Sequence, residues 1–403
     1  MNNTPKGNRV HIGIFGRRNV GKSSFINSFI GQELSIVSDT PGTTTDPVEK
    51  AYELQPFGPV LFIDTAGIDD TGELGMKRVG RTREALKRTD LAIVMVDGKG
   101  PGDLEEDIIG EIRVKGIPWL FVINKMDLPG EDKEAMKPLL ETKYNAEVFT
   151  CSSLFGTNID QIKRSVADKL AKALPDPSIL ADLVKPSDTV VLVIPIDKEA
   201  SKGRLILPQV QTIRELLDFD ASAVVVKERE LRYVLDHVLR EKPALVITDS
   251  QEFLKVDADT PCDIPLTSFS ILFARQKGDL DAYVKGLDAI DHLHDGDRIL
   301  VAELCSHHPI GEDIGRVKIP RWLRNYSGCN LDFAFVAGKD YPDNLKKYSL
   351  VIQCGGCMVN RRLILNRIKT AGDQGVPITN YGLIIAKMHG ILERAVKPFS
   401  SLF

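Results

Sequence analysis

Gly16-Arg17-Arg18-Asn19-Val20-Gly21-Lys22-Ser23 spells G-x-x-x-x-G-K-S, between an apolar run and a helix-like run. That spacing turns backbone N–H groups inward and sets a helix N-terminus behind them, which makes a cradle for phosphates. Gly16, Asn19, Val20, Gly21 and Ser24 would shape the cradle, Lys22 would reach the β/γ-phosphates and Ser23 would hold Mg²⁺. Leu61-Phe62-Ile63-Asp64-Thr65-Ala66-Gly67 ends in D-x-x-G. There Asp64 can take Mg²⁺ through water and the Gly67 N–H can meet the γ-phosphate. Asn124-Lys125-Met126-Asp127 is an N-K-x-D, whose Asp127 can accept the N1–H and exocyclic amine of guanine. Adenine lacks that donor pair, and a site built for a polar edge rejects an analogue missing it. Ser152 and Ser153 follow a short apolar run and complete the base side. The expected ligand is GTP with Mg²⁺, and the expected reaction is its hydrolysis.

A second constellation lies far downstream. Arg298 to Leu304 reads as a strand running into Cys305-Ser306-His307-His308, and Ser349 to Gln353 as another running into Cys354-Gly355-Gly356-Cys357. If those strands are parallel neighbours, Cys305, Cys354 and Cys357 emerge at the carboxyl edge, where open α/β sheets bind ligands. A helix beginning behind the cysteines is expected to lower their pKa values. Three thiolates with His307 or His308 would suit zinc as Cys₃His. Three thiolates also suit an iron–sulfur cluster with one iron open or weakly ligated. A reversible Cys354–Cys357 disulfide is the third option. Cys151, Cys262 and Cys329 lack metal-ligand spacing.

The elements that must position these residues divide the chain in three. At 403 residues it is too long for one core. Pro-rich stretches at 174–188 and 256–265 read as linkers. The expected architecture is α/β throughout: a P-loop domain with a doubly wound, mostly parallel sheet (9–173), a small βαβαβ domain (187–258) and a C-terminal α/β domain (266–403). The middle domain carries no chemistry and is expected to dimerise. A net charge of −4 gives no bulk attraction to nucleic acid. No apolar run approaches membrane-spanning length, and the polar start from Met1 to Asn8 lacks a leader's hydrophobic region, so the expected compartment is the cytoplasm.

Residues 9 to about 172 resemble the translation-factor-class GTPases of ribosome assembly and tRNA modification. Pro41 to Asp46 is similar to their switch I loop, which implies Thr44, or else Thr43, as the second Mg²⁺ hydroxyl. Ile68 stands where many GTPases carry a water-orienting Gln, and Asn19 resembles the potassium-binding Asn of cation-dependent members. K⁺ is therefore implied near the phosphates. The whole chain, with Cys305-x-His307 and Cys354-x-x-Cys357 behind a G domain and a small middle domain, resembles the HydF-type GTPases, scaffolds of iron–iron hydrogenase maturation. That resemblance implies a 4Fe–4S cluster on the C-terminal domain and a diiron precursor received from radical-SAM maturases. Delivery would be to the apo FeFe-hydrogenase, with GTP hydrolysis gating the partners. The precursor would be anionic, so Arg316, Lys318, Arg321, Arg324, Arg361 and Arg362 are expected to supply some of its lining. The alternative is a ribosome- or tRNA-associated GTPase with structural zinc.

Overall fold

The computed structural model describes residues 4–31, 48–65, 73–129, 133–173, 177–195, 205–304, 313–338 and 340–402. The chain forms two compact units, Met1–Asp176 and Pro177–Phe403.

The first unit is built on six strands: β1 (Val10–Phe15), β2 (Val48–Leu54), β3 (Gly58–Asp64), β4 (Leu91–Val96), β5 (Trp119–Ile123) and β6 (Val148–Thr150). Their order is β2-β3-β1-β4-β5-β6, with only β2 antiparallel. The apolar runs of β1, β4 and β5 are buried because helices cover both faces of the sheet, which is why they read as unbroken hydrophobic stretches. Winding reverses between β1 and β4, so a crevice opens beyond the carboxyl end of β1. The G-x-x-x-x-G-K-S loop leaves β1 there and enters helix Lys22–Ile30. Strand β2 has no apolar signature in the sequence, because Val48-Glu49-Lys50-Ala51 forms a half-exposed edge.

The second unit holds two four-stranded parallel sheets. One contains β7 (Thr189–Val193), β8 (Ser222–Val226), β9 (Leu245–Thr248) and β10 (Leu266–Ser268) in the order β10-β9-β7-β8. The other contains β11 (Arg298–Ala302), β12 (Asp332–Val336), β13 (Leu350–Gln353) and β14 (Ile378–Asn380) in the order β12-β11-β13-β14. These are the same winding, read from opposite ends. The likeness extends to sequence: Thr267-Ser268-Phe269 opens one helix and Thr379-Asn380-Tyr381 the other, with Ser268 and Asn380 as side-chain N-caps. Leu245-Val246-Ile247-Thr248-Asp249 likewise parallels Leu350-Val351-Ile352-Gln353-Cys354.

The two sheets share one continuous core, in which Leu192, Ile247, Phe269 and Leu272 join Leu300, Ile352 and Leu383. This differs from the sequence expectation of separate 187–258 and 266–403 domains. Val256 is buried within helix Phe253–Asp259, and β10 lies beyond the expected boundary as a fourth strand of the first sheet. The prolines at 261 and 265 mark a turn inside this unit.

Candidate functional site

The nucleotide side is assembled by three loops at the carboxyl edge of the first sheet. Gly16 has φ +148°, and a Cβ there would come within 2.3 Å of the Met95 carbonyl. Gly21 has φ +96°, and its Cβ would lie 2.4 Å from Asn124 Nδ2. Both must be glycine for the loop to close. Asn19 is exposed in left-handed backbone, φ 64°, while Val20 beside it packs into the core. The Lys22 ammonium is buried inside the loop and donates to the carbonyls of Gly16 and Arg17, each at 2.8 Å. Ser23 and Ser24 are exposed at the helix start. Ser23 Oγ donates to Asp64 Oδ2 at 2.5 Å, so the two expected Mg²⁺ groups already adjoin. Burial raises the Asp64 carboxyl, against the Ser23 hydrogen bond and the charges of Lys22 and Lys50.

The base side is cross-braced. Asn124 Nδ2 donates to the Val20 carbonyl at 2.8 Å, while its Oδ1 accepts from Ser153 N at 3.0 Å and Ser153 Oγ at 2.9 Å. This buried amide ties the phosphate loop to both base loops. Lys125 sits at φ 61°, and Lys133 Nζ donates to its carbonyl and to that of Leu128. Ser152 Oγ donates to Asp127 Oδ1 at 2.5 Å; chiefly through that bond, the exposed carboxyl is held below the usual range. Asp127 is thus kept as an acceptor aimed out of the protein. Cys151 is fully buried, and its thiol is pushed up to about 12, which makes it inert. Thr43, Thr44, Gly67 and Ile68 lie outside the described residues.

One further brace was not legible in the motif. Arg17 N donates to Glu105 Oε1 at 2.9 Å, and Glu105 Oε2 accepts from Gly102 N at 3.1 Å to cap helix Asp103–Val114. Glu105 is 1% exposed, so one buried carboxylate joins the phosphate loop to a neighbouring helix.

In the second unit, β11 and β13 pair in parallel with Ala302 opposite Gln353, and winding reverses between them. Cys354 and Cys357 emerge at that switch point. Leu304 N donates to Cys354 Sγ at 3.2 Å. Cys305 follows Leu304 in the chain, and with His307 and His308 it lies outside the described residues. Among the described residues no group of three or more His, Cys, Asp or Glu converges as a metal site. Gly356 has φ +64°, and a Cβ there would meet Ile364 at 2.6 Å and Leu304 at 2.9 Å. The sharp turn it allows brings both cysteines to one pocket of about 190 Å³.

Both sheets of this unit supply the pocket wall: Pro208 and Asp249 from the first, Glu303, Asp313 and Tyr381 from the second. Two expectations fail here. The lining carries carboxylates, and among the described residues no Arg or Lys lines it. Arg316 instead reaches Glu303 Oε2 at 3.3 Å, Lys318 bonds Gln251, Arg324 lies 4.9 Å over the Phe333 ring and Arg361 donates to the Gln276 carbonyl at 3.0 Å. Nor are the thiol pKa values lowered. Burial pushes Cys354 up to about 11 and raises Cys357 also, because helix Arg361–Asp373 begins only after Asn360 and cannot offset the desolvation. Beneath the loop sits Lys277, which belongs to no motif; burial lowers its ammonium to about 8 against the opposing pull of Cys357.

Residues 179–278 match the hydrogen maturase F dimerization domain and residues 281–398 the hydrogen maturase F tetramerization domain. Residues 11–125 match the 50S ribosome-binding GTPase family. GTPase Der of Wolinella succinogenes is 38% identical over 165 residues, 39% of this chain and 35% of that protein. GTPase Der of Kosmotoga olearia is 34% identical over 181 residues, 41% of this chain and 40% of that protein. The chain therefore spans well under half the length of these relatives. The solved Era of Aquifex aeolicus, bound to GDP and aluminium fluoride, is 23% identical with a TM-score of 0.36, over 56% of this chain and 96% of that one. With both hydrogen maturase F models matching in order behind a GTPase domain, the chain belongs to the HydF-type GTPases.

Proposed function

We propose that this chain binds and hydrolyses GTP with Mg²⁺ and K⁺, and carries a 4Fe–4S cluster as scaffold for a diiron precursor delivered to apo FeFe-hydrogenase. Site roles follow the expectations above. Ser23 and Thr44 hold Mg²⁺ directly and Asp64 through water, Lys22 and the Gly67 N–H meet the terminal phosphates, and Asn19 takes K⁺. Asn124, Lys125, Asp127, Ser152 and Ser153 hold the guanine. Ile68 cannot orient the attacking water as a Gln does, and a K⁺ at Asn19 would instead place positive charge near the β/γ oxygens, as an arginine finger does elsewhere. Rates in KCl are expected to exceed those in NaCl by roughly tenfold, and Asn19→Ala should remove the difference.

The cluster half of the reading is carried by one observation. The Cys354/Cys357 turn opens on a pocket at the switch point of β11 and β13, and Leu304, just before Cys305, already donates to Cys354 Sγ. The donor set fits: two cysteine sulfurs at the pocket wall and a third cysteine next in the chain. Bound there by Cys305, Cys354 and Cys357, with His307 available, a cluster would supply an iron able to accept an exogenous group. Homodimers, radical-SAM maturases and a cytoplasmic setting complete the reading; the dimerization-domain match supports the first.

The test is anaerobic iron–sulfide reconstitution, with iron and zinc quantified and the reduced sample examined by EPR. About four irons per chain are expected, with a signal lost on Cys305→Ser, Cys354→Ser or Cys357→Ser. Stoichiometric zinc without that signal would support instead the ribosome- or tRNA-associated reading with structural zinc, toward which the 50S ribosome-binding GTPase match of residues 11–125 points.

A further inference from the structure

Lys277 ends helix Phe269–Lys277 and is only 6% exposed. A buried ammonium is costly unless its donors are met. Here they are met by the carbonyls of the cysteine loop: Val359 at 3.0 Å, Cys357 at 3.2 Å and Gly356 at 3.4 Å. One cation therefore gathers three carbonyls behind the Cys354–Cys357 turn, leaving the face that carries the two sulfurs toward the pocket. The same helix end is fastened from the other side, since Arg361 Nε donates to the Gln276 carbonyl at 3.0 Å. A cation at a helix C-terminus is also favoured by the helix dipole.

The repeated winding of the two sheets gives an internal control. Ala274-Arg275-Gln276-Lys277-Gly278 corresponds to Ala386-Lys387-Met388-His389-Gly390. The counterpart of Lys277 is thus His389, which stands edge-on to Trp322 at 5.0 Å. The helix end behind the cysteine loop carries an ammonium, while its counterpart in the other half carries an imidazole set against Trp322.

We propose that Lys277 is a positioning residue for the metal group: it clamps the Gly356–Val359 backbone and sets a positive charge behind the cysteine sulfurs. This rests on the reading that Cys354 and Cys357 hold an iron–sulfur cluster. A reduced cluster bears one more negative charge than an oxidised one, so a nearby cation favours reduction. Arg316 and Arg361 are engaged elsewhere, to Glu303 and to Gln276.

The experiment is an EPR-monitored redox titration of the reconstituted full chain, alongside Lys277→Met, Lys277→Gln and Lys277→Arg. Iron content and a thermal melt are measured on each. The midpoint potential is expected to fall in Lys277→Met and Lys277→Gln and to return toward the original value in Lys277→Arg. Retention of iron under chelator should weaken in the same order. Variants that fold with a normal melt yet lose iron, with Lys277→Arg recovering it, also support the clamp. Equal potentials and equal iron retention in all four proteins would overturn it, as would equal loss in Lys277→Arg and Lys277→Met. No iron in the unsubstituted chain would overturn instead the cluster reading beneath it.

Discussion

Asp127 shows how a single carboxylate is held to one task. The Ser152 hydroxyl fixes one of its oxygens and keeps it ionised, so it can only accept hydrogen bonds. Asp127→Asn replaces an acceptor by a donor facing the guanine edge. GTP affinity should fall by roughly a hundredfold or more, while xanthosine triphosphate, with a carbonyl in place of the amine, should gain. Competition titrations with the two nucleotides check this. A second residue sets a pH limit on the same unit. His11 is buried with Nε2 donating to the Lys6 carbonyl at 3.2 Å, and burial lowers its pKa against the charge of Asp90; Arg88 adds to the lowering and Glu49 opposes it. A histidine held neutral contributes stability above its unfolded pKa, near 6.5, and that contribution is lost as pH falls below it. Melting of the chain's first unit should drop between pH 7 and pH 5.5, and His11→Gln should flatten the slope. The nucleotide motifs were legible because their glycines and carboxylates must stand at fixed spacings around phosphate and guanine. Glu105 and Lys277 were not legible, because each works through contacts distant in sequence and belongs to no spacing.

At the scale of elements, the cysteine turn depends on one glycine more than on its neighbour. A Cβ at Gly356 would strike Ile364 and Leu304 and would sit in left-handed backbone, whereas a Cβ at Gly355 meets only Ser270 Oγ at an ordinary 3.8 Å. Gly356→Ala should therefore destabilise the second unit by about 1–3 kcal/mol and impair metal loading, while Gly355→Ala should do neither. Thermal melts and iron counts on the two variants separate them. The adjacency of β11 and β13, which the sequence offered only as a condition on two apolar runs that each end at cysteine, is met by their parallel pairing. Strands β12 and β14 were not legible, since β12 is half-exposed and β14 is only Ile378–Asn380. The thiol pKa values were misjudged for a related reason: sequence shows that a helix follows the cysteines, but not how many residues intervene or how deeply the sulfurs are buried.

At the scale of the molecule, the second unit is one body with two similar halves. The segment expected as a linker near 256–265 runs within this unit, with Val256 and Ile264 buried beside the first sheet, because prolines mark turns as readily as domain ends. Each half alone would expose the surface it now buries, Phe269 and Leu272 on one side and Leu300 and Leu383 on the other. Fragments 177–278 and 279–403 should therefore be insoluble when made apart and should form a soluble complex when made together, as read by co-purification.

The repeated winding carries a historical meaning as well. A pocket enclosed by halves of like strand order is what fusing a symmetric dimer into one chain would leave. In such an ancestor each wall would have been present twice, and a ligand on the axis would have met identical groups from both sides. In this protein the walls have diverged, with Asp249 on one and Cys354 on the other at matching places. Fusion frees each copy to change alone, which a symmetric pair cannot do, so on one chain a pocket can carry a thiol on one wall and a carboxylate on the other.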